Sequence, residues 1–314
     1  GDERSGDAPA ERRALICGIM EHVEEAGIHS GDSACALPPY SLPAPMVQRI
    51  RTLSRDLARA LRVNGLMNIQ LAVKDDEVYI LEVNPRASRT VPFVSKATHV
   101  SWPGVAAKVM MGATLAGLGA REIEPRGYSA VKESVFPFAK FPGVDFVLGP
   151  EMRSTGEVMG IDRTFGIAFA KSQMAAGTHL PIDPKKGGVF VSVNQSDREI
   201  IVEPVRTLMA MGFEVFATEG TSEFLRARGL QPTVLQKIAS GARPNVIDLM
   251  TNGTIALIIN TPTRTGWRTD EGKIRATAVR LGMPMLTTAT AAVAATRAIE
   301  AMRRADWGVA ALQD

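Results

Sequence analysis

The 314-residue chain is 45% hydrophobic and 22% charged, with a net charge of +3 and a pI near 9.0, which suits a soluble globular protein of about two domains. No dense Lys/Arg run is interleaved with aromatics, so the mild basic excess suits small anionic ligands and does not argue for nucleic acid. No apolar run approaches the roughly 18 residues of a membrane helix, the N-terminus is too polar for a signal peptide, and Cys17 and Cys35 form no C-x-x-C, which fits a reducing cytoplasm.

Residues 1–13 are polar and read as a disordered lead-in, and the opening Gly1 in place of Met suggests a fragment or a processed chain. Ala14 to Met20 is a short apolar run, expected as a buried strand. Glu21 to Pro39, EHVEEAGIHSGDSACALPP, reads as a loop of a length that is uncommon unless it carries function. His22, Glu25 and His29 within it match no standard zinc spacing. Ser41 to Arg62 repeats apolar residues at helical spacing (Met46, Ile50, Leu53, Leu57, Leu61), with Pro43 near the start and Asn64-Gly65 beyond the end.

The most informative stretch follows, LMNIQLAVKDDEVYILEVNPRASRTVPFVSK, from Leu66 to Lys96. Asn68 to Val73 and Val78 to Asn84 each alternate polar and apolar, which predicts a β-hairpin. A register that sets Gln70 opposite Glu82 also sets Asn68 opposite Asn84. It leaves Ile69/Val83, Leu71/Leu81 and Val73/Tyr79 on the apolar face, with a three-residue loop Asp75-Asp76-Glu77. One surface then gathers a carboxylate and amides, hard oxygen ligands of the kind Mg²⁺ takes. Arg86 and Arg89 come next, and guanidinium forks suit phosphate. The plain alternative is a solvated hairpin face with ordinary surface arginines.

Val91 to Gly112 reads into a helix over Val105 to Met111, with His99 structural or at the surface. Gly117-Leu118-Gly119 lacks the third glycine and the preceding strand of a dinucleotide motif. Tyr128 to Phe138 is strand-like, Phe141 to Gly160 reads as a Gly/Pro-punctuated loop and hairpin, and Thr164 to Ala175 as a helix. Residues 177–188, GTHLPIDPKKGG, form the best linker, so the expected divisions are 14–176 and 189–314. Beyond it strands and helices alternate. Strands are expected at 189–193, 214–218, 233–236, 255–261 and 283–288, with helices over 200–211, 222–228, 246–250, 273–281 and 291–305. That pattern predicts a doubly wound, five-stranded parallel sheet. Ligands of such sheets sit beyond the carboxyl ends of the strands. Thr218-Glu219-Gly220-Thr221, Lys237 and Asn260-Thr261 all fall there, and hydroxyls with helix-opening N–H groups suit phosphate. Singly, each is also an ordinary cap or turn.

The string E-x-N-P-R-x-x-R from Glu82 to Arg89, with Gln70 ahead of it, resembles the metal-binding hairpin of the ATP-grasp superfamily. The longer NPRASRTVPFVSKATHV narrows the resemblance to the carbamoyl-phosphate synthase large subunit. The likeness runs from about Ala14 to the C-terminus and is strongest over 19–96 and 141–160. It implies the end of a partial ATP-grasp unit, an antiparallel sheet with helices, followed by a methylglyoxal-synthase-like regulatory domain.

The family activity so implied is ATP-dependent phosphorylation of carbamate, made from bicarbonate and glutamine-derived ammonia. It would feed pyrimidine and arginine synthesis in the cytoplasm. By this resemblance Gln70, Glu82 and Asn84 hold Mg²⁺ or Mn²⁺ on ATP, with K⁺ a further cation, and Gln70 and Glu82 also meet the nucleotide. Gly27, Ile28, His29 and Ser30 contact the nucleotide, and Arg89 and Arg86 stabilise the transferred phosphoryl group. Arg198, Thr218, Thr221, Lys237, Asn260 and Thr261 hold a nucleotide monophosphate effector. Glu24, Asp32, Glu133 and Thr287 match an ornithine site, although Met285 stands where an aromatic is expected. A small glutaminase subunit, and so a hetero-oligomer, is the implied partner. The Gly-rich lobe that closes over ATP has no counterpart before Ala14, so the chain alone is expected to be incomplete for catalysis.

Overall fold

The structure, a computed structural model, describes residues 13–137, 147–261, 269–304 and 306–311. Nearly all of the expected lead-in and the 141–146 part of the expected loop lie outside the described residues. The chain forms two compact units, Gly1–Glu21 with Leu37–Arg126, and His22–Ala36 with Gly127–Asp314. Two short strands come first, β1 (Glu21–His22) and β2 (Cys35–Leu37).

In the first unit, α1 (Ala44–Ala60) starts after Pro43 in extended backbone and buries Met46 and Ile50. Leu61, expected to continue the stripe, lies past the helix end and is exposed. Ala14 to Met20 is not a strand. The Ile16 N–H donates at 2.7 Å to the Glu122 carboxylate rather than to a neighbouring strand. Glu122 also binds Arg51 (2.9 Å) and Arg55 (2.7 Å) of α1, so one acidic side chain ties three segments together.

The hairpin is β3 (Asn68–Lys74) and β4 (Glu77–Asn84). Its site half has the expected register, with Asn68 opposite Asn84, Ile69 opposite Val83 and Gln70 opposite Glu82. Its tip does not. Leu71 faces Ile80, Ala72 faces Tyr79 and Val73 faces Val78, with an irregularity after Gln70 that leaves Leu81 as the extra residue. The cause is the turn. Asp75 and Asp76 have φ of 51° and 60°, which fits a two-residue type I′ turn whose twist matches the strands. The bulge absorbs the residue gained when the three-residue loop is replaced. Val73, Tyr79, Ile80 and Leu81 are exposed, so the expected apolar face is not a buried one.

After the hairpin come α2 (Thr90–Thr98) and α3 (Trp102–Met110), where the sequence suggested one helix. Pro92 falls in the first turn of α2, where a missing N–H costs nothing, and His99 ends the helix in left-handed conformation.

In the second unit, β5 (Ser129–Val135) and β6 (Gly156–Asp162) pair antiparallel, and the sheet order is β1-β2-β5-β6. Helix α4 (Phe165–Ala175), capped by Thr164, packs on them. A Cβ at Gly160 would lie 2.2 Å from the Ala168 carbonyl oxygen, so β6 and α4 approach closely only because that position is glycine. Leu180, inside the expected linker, is buried.

The remainder alternates β7 (Gly188–Ser192), α5 (Arg198–Ala210), β8 (Val215–Thr218), α6 (Glu219–Arg226), β9 (Thr233–Leu235), α7 (Val246–Thr251), β10 (Ile255–Asn260), α8 (Asp270–Arg280), β11 (Met285–Leu286) and α9 (Ala289–Arg304). The five strands are parallel in the order β11-β10-β7-β8-β9. Phe190, Phe216, Ile258 and Ile274 belong to its core. Strand order reverses between β7 and β10, which places a crevice at their carboxyl ends. Helix α9 packs on α4, and a Cβ at Gly166 would meet the Ala301 Cβ at 2.9 Å.

Candidate functional site

Three groups of polar side chains fall where ligands are expected. The first is the hairpin face. Alternation holds as far as Gln70, so Asn68, Gln70, Glu82 and Asn84 share one surface, Glu82 exposed and the amides half-buried. The Arg86 N–H donates to the Asn84 carbonyl at 2.8 Å and its Nη1 to the Ala87 carbonyl at 3.0 Å. That curls the chain so that Arg89 becomes the residue before α2. Arg89 therefore stands at the N-terminal end of a nine-residue helix, whose dipole suits an anion. Among the described residues no three His, Cys, Asp or Glu gather around a metal-sized space. The hairpin face offers a single carboxylate with amide oxygens. These are hard donors that fit Mg²⁺ or Mn²⁺ when water and phosphate oxygens supply the other positions.

The second group lies in the second unit, between the 22–36 segment and β5. Gly27 has φ of +109° and no atom within 4 Å of where its Cβ would stand, which lets the segment turn in the open. The His29 N–H donates to the Gly149 carbonyl at 2.8 Å, and its Nδ1 accepts from the Gly31 N–H at 3.0 Å. Side chains from β5 pin the same turn. Lys132 Nζ donates to the Ser30 carbonyl at 3.3 Å, and Ser134 Oγ donates to that of Gly31 at 2.7 Å. Asp32 accepts the N–H groups of Arg153 (2.8 Å) and Ser154 (2.9 Å). The end of the Gly27–Ser30 turn, at the Ser30 and Gly31 carbonyls, is thus held from β5.

Three of the four residues matched to ornithine gather here. Glu24 accepts from the Ala34 N–H at 2.7 Å, and Glu133 accepts from the Ser134 N–H at 3.0 Å and from the Gln173 amide. Burial raises the Glu24 carboxyl to about 7 and that of Glu133 to about 8, and each carboxylate's charge bears on its neighbours. Burial, then the Lys132 charge, lowers His22 to about 4. Thr287 follows β11, and among the described residues no hydrogen bond joins it to this group. Lys132 was not singled out from the sequence. Its signal is a lysine directly after Ala130-Val131 within the strand-like stretch 128–138, and it is fully buried.

The third group lies at the carboxyl ends of the parallel sheet. Thr218 Oγ1 lies 3.3 Å from Thr221 Oγ1 and 3.4 Å from Ser192 Oγ. Thr221 Oγ1 accepts from the Val193 N–H at 3.3 Å, and Thr261 Oγ1 from the Asn194 N–H at 2.9 Å. Arg198 opens α5 with its Nη2 3.1 Å from where a Gly220 Cβ would stand, so glycine admits the guanidinium to the start of α6. Its Nε is buried and has no hydrogen-bond partner among the described residues. Lys237 is exposed after β9, and among the described residues no hydrogen bond joins its side chain to these hydroxyls.

Two family models match the sequence: "Carbamoyl-phosphate synthase L chain, ATP binding domain" over residues 9–118 and "MGS-like domain" over 200–287. A carbamoyl phosphate synthase large chain from Methanosarcina barkeri is 47% identical over 96% of this chain and 75% of its own length. The chain belongs to the carbamoyl phosphate synthase large chain family. The large chain of Rhodopirellula baltica is 54% identical over 95% of this chain but 28% of its own length. The chain therefore spans little more than a quarter of that large chain. A biotin carboxylase domain of a single-chain bacterial carboxylase overlays with a TM-score of 0.37 at 15% identity, covering 46% of this chain and 39% of that one, too loosely to argue from. Within the large chain family, the hairpin falls inside the ATP-binding match, and Thr218 to Thr261 fall inside the MGS-like match. No helix among the described residues is long and apolar enough to cross a membrane.

Proposed function

We propose that this chain carries the metal-facing part of the ATP site that phosphorylates carbamate in carbamoyl phosphate synthase. The observation that supports it is the pairing of Gln70 with Glu82 and Asn68 with Asn84, with Arg86 and Arg89 directly after. In the reaction a carbamate oxygen attacks the γ-phosphorus of ATP and ADP leaves, giving carbamoyl phosphate. Charge builds on the transferred phosphoryl oxygens, so positioned cations matter more than covalent help. Gln70, Glu82 and Asn84 would hold Mg²⁺ or Mn²⁺, which screens the phosphates. Arg89 and Arg86 would face the phosphoryl oxygens, and the pinned Gly27–Ser30 turn would meet the nucleotide. Bicarbonate, glutamine-derived ammonia and a small glutaminase subunit belong to the whole enzyme. The cytoplasm, pyrimidine and arginine synthesis are the matching setting.

In the full-length large chain, Glu82→Gln is expected to abolish ATP formation from carbamoyl phosphate and ADP. A near-normal rate would remove Glu82 from the metal site. A second reading is supported by Arg198 and the hydroxyls of Thr218, Thr221 and Thr261. The chain by itself would be a regulatory module that binds a nucleoside monophosphate without catalysing. Titration of this chain with uridine and inosine monophosphates, beside an assay of the partial ATP reaction, separates the two. Binding without turnover favours the module.

A further inference from the structure

We infer that Arg275, buried beneath the parallel sheet's carboxyl-end crevice, fixes the Asn260 amide as a donor and so makes the crevice a site for a phosphate monoester. The inference rests on the reading of this crevice as the effector site. Arg275 comes from α8 and Asn260 ends β10, and both are fully buried. Arg275 Nη1 donates to Asn260 Oδ1 at 3.4 Å, while Asn260 Nδ2 donates to the Ser192 carbonyl at 3.2 Å.

This arrangement has one sense only. A flipped amide would turn its NH₂ toward a guanidinium, which has no acceptor, and its oxygen toward a carbonyl, which has no donor. With the oxygen committed to Arg275, one of the two amide N–H groups goes to Ser192 and the other is left as a donor at the strand end. Thr261 N–H also donates to the Ser192 carbonyl, at 3.1 Å, so β7 and β10 are tied together where strand order reverses. A fixed N–H donor suits a phosphate oxygen and offers nothing to an ammonium. Arg275 is thus a positioning residue, acting through Asn260.

The test is calorimetric titration of this chain with uridine and inosine monophosphates, in the wild type, Arg275→Met, Asn260→Ala and the double variant, with melting curves to establish folding. Arg275→Met is expected to weaken both nucleotides by about tenfold or more, since hydrogen bonds to charged groups are at stake. The double variant is expected to bind no worse than Asn260→Ala alone, because both changes remove one arrangement. Additive losses, or unchanged affinity in folded Arg275→Met, overturn the inference. Should Arg275→Met fail to fold, Arg275→Lys, which keeps the charge without the fork, carries the same comparison. A wild type that binds neither nucleotide overturns the effector reading itself, an outcome distinct from any difference among variants.

Discussion

The Gln173 amide nitrogen donates a buried hydrogen bond to Oε2 of Glu133, joining α4 to β5 beside the fully buried Lys132. Burial, then the charge of Glu24, holds the Glu133 carboxyl at about 8, far above its ordinary 4.5. The unfolded chain releases that proton near its ordinary value, whereas the folded chain keeps it. Stability from this group is therefore fully present below about 4.5 and is lost as pH rises through about 8. Glu133→Gln keeps an oxygen for Gln173 and removes the titration. The variant is expected to gain on the wild type by about 1 kcal/mol or more between pH 5 and pH 8. Denaturant unfolding at both pH values reads the gap, and a pH-independent difference would contradict the burial argument.

Much of this fold was legible because the signals were local. The five parallel strands announced themselves as apolar runs such as Ile255–Asn260, and the site half of the hairpin followed from alternation alone. Helix starts were the weak point. The first turn of α8 is Asp270-Glu271-Gly272, capped by Thr269 with a 3.0 Å bond to the Gly272 N–H, and a polar first turn carries no apolar period to detect. Lys132 and Arg275 were not singled out for a different reason. Their roles come from partners 102 and 15 residues away along the chain, which no spacing rule reaches.

The hairpin tip is a further case, since its register turned on backbone conformation rather than on face polarity. Asp75 and Asp76 both sit at positive φ, where Asn-Gly is the better pair. Asp75→Asn with Asp76→Gly is expected to stabilise the hairpin by about 0.5–1 kcal/mol and to slow amide exchange at Leu71 and Ile80. Asp76→Val should do the opposite, because a branched side chain resists that backbone region. Nuclear Overhauser contacts linking Leu71 to Leu81 across the strands, instead of Leu71 to Ile80, would show that the bulge is wrong.

The packing of β6 on α4 gives a prediction independent of any ligand. A Cβ at Gly160 would lie 2.2 Å from the Ala168 carbonyl oxygen and 2.5 Å from the Ser172 nitrogen, both backbone atoms of a helix that also packs on α9. Neither can yield as the end of a flexible side chain would. Gly160→Ala is therefore expected to cost about 2–4 kcal/mol through forced separation of strand and helix. Gly149→Ala is the control, since nothing lies within 4 Å of its Cβ position and its backbone is not in the left-handed region. It should stay within about 0.5 kcal/mol of the wild type. Because α4 also carries Gln173, the shift in Gly160→Ala should reach Glu133 and lower its raised pKa as water enters. Carboxyl titration followed by carbon-13 shifts would reveal this. A variant that loses stability while Glu133 still titrates near 8 would separate the packing of β6 on α4 from the buried carboxylate group.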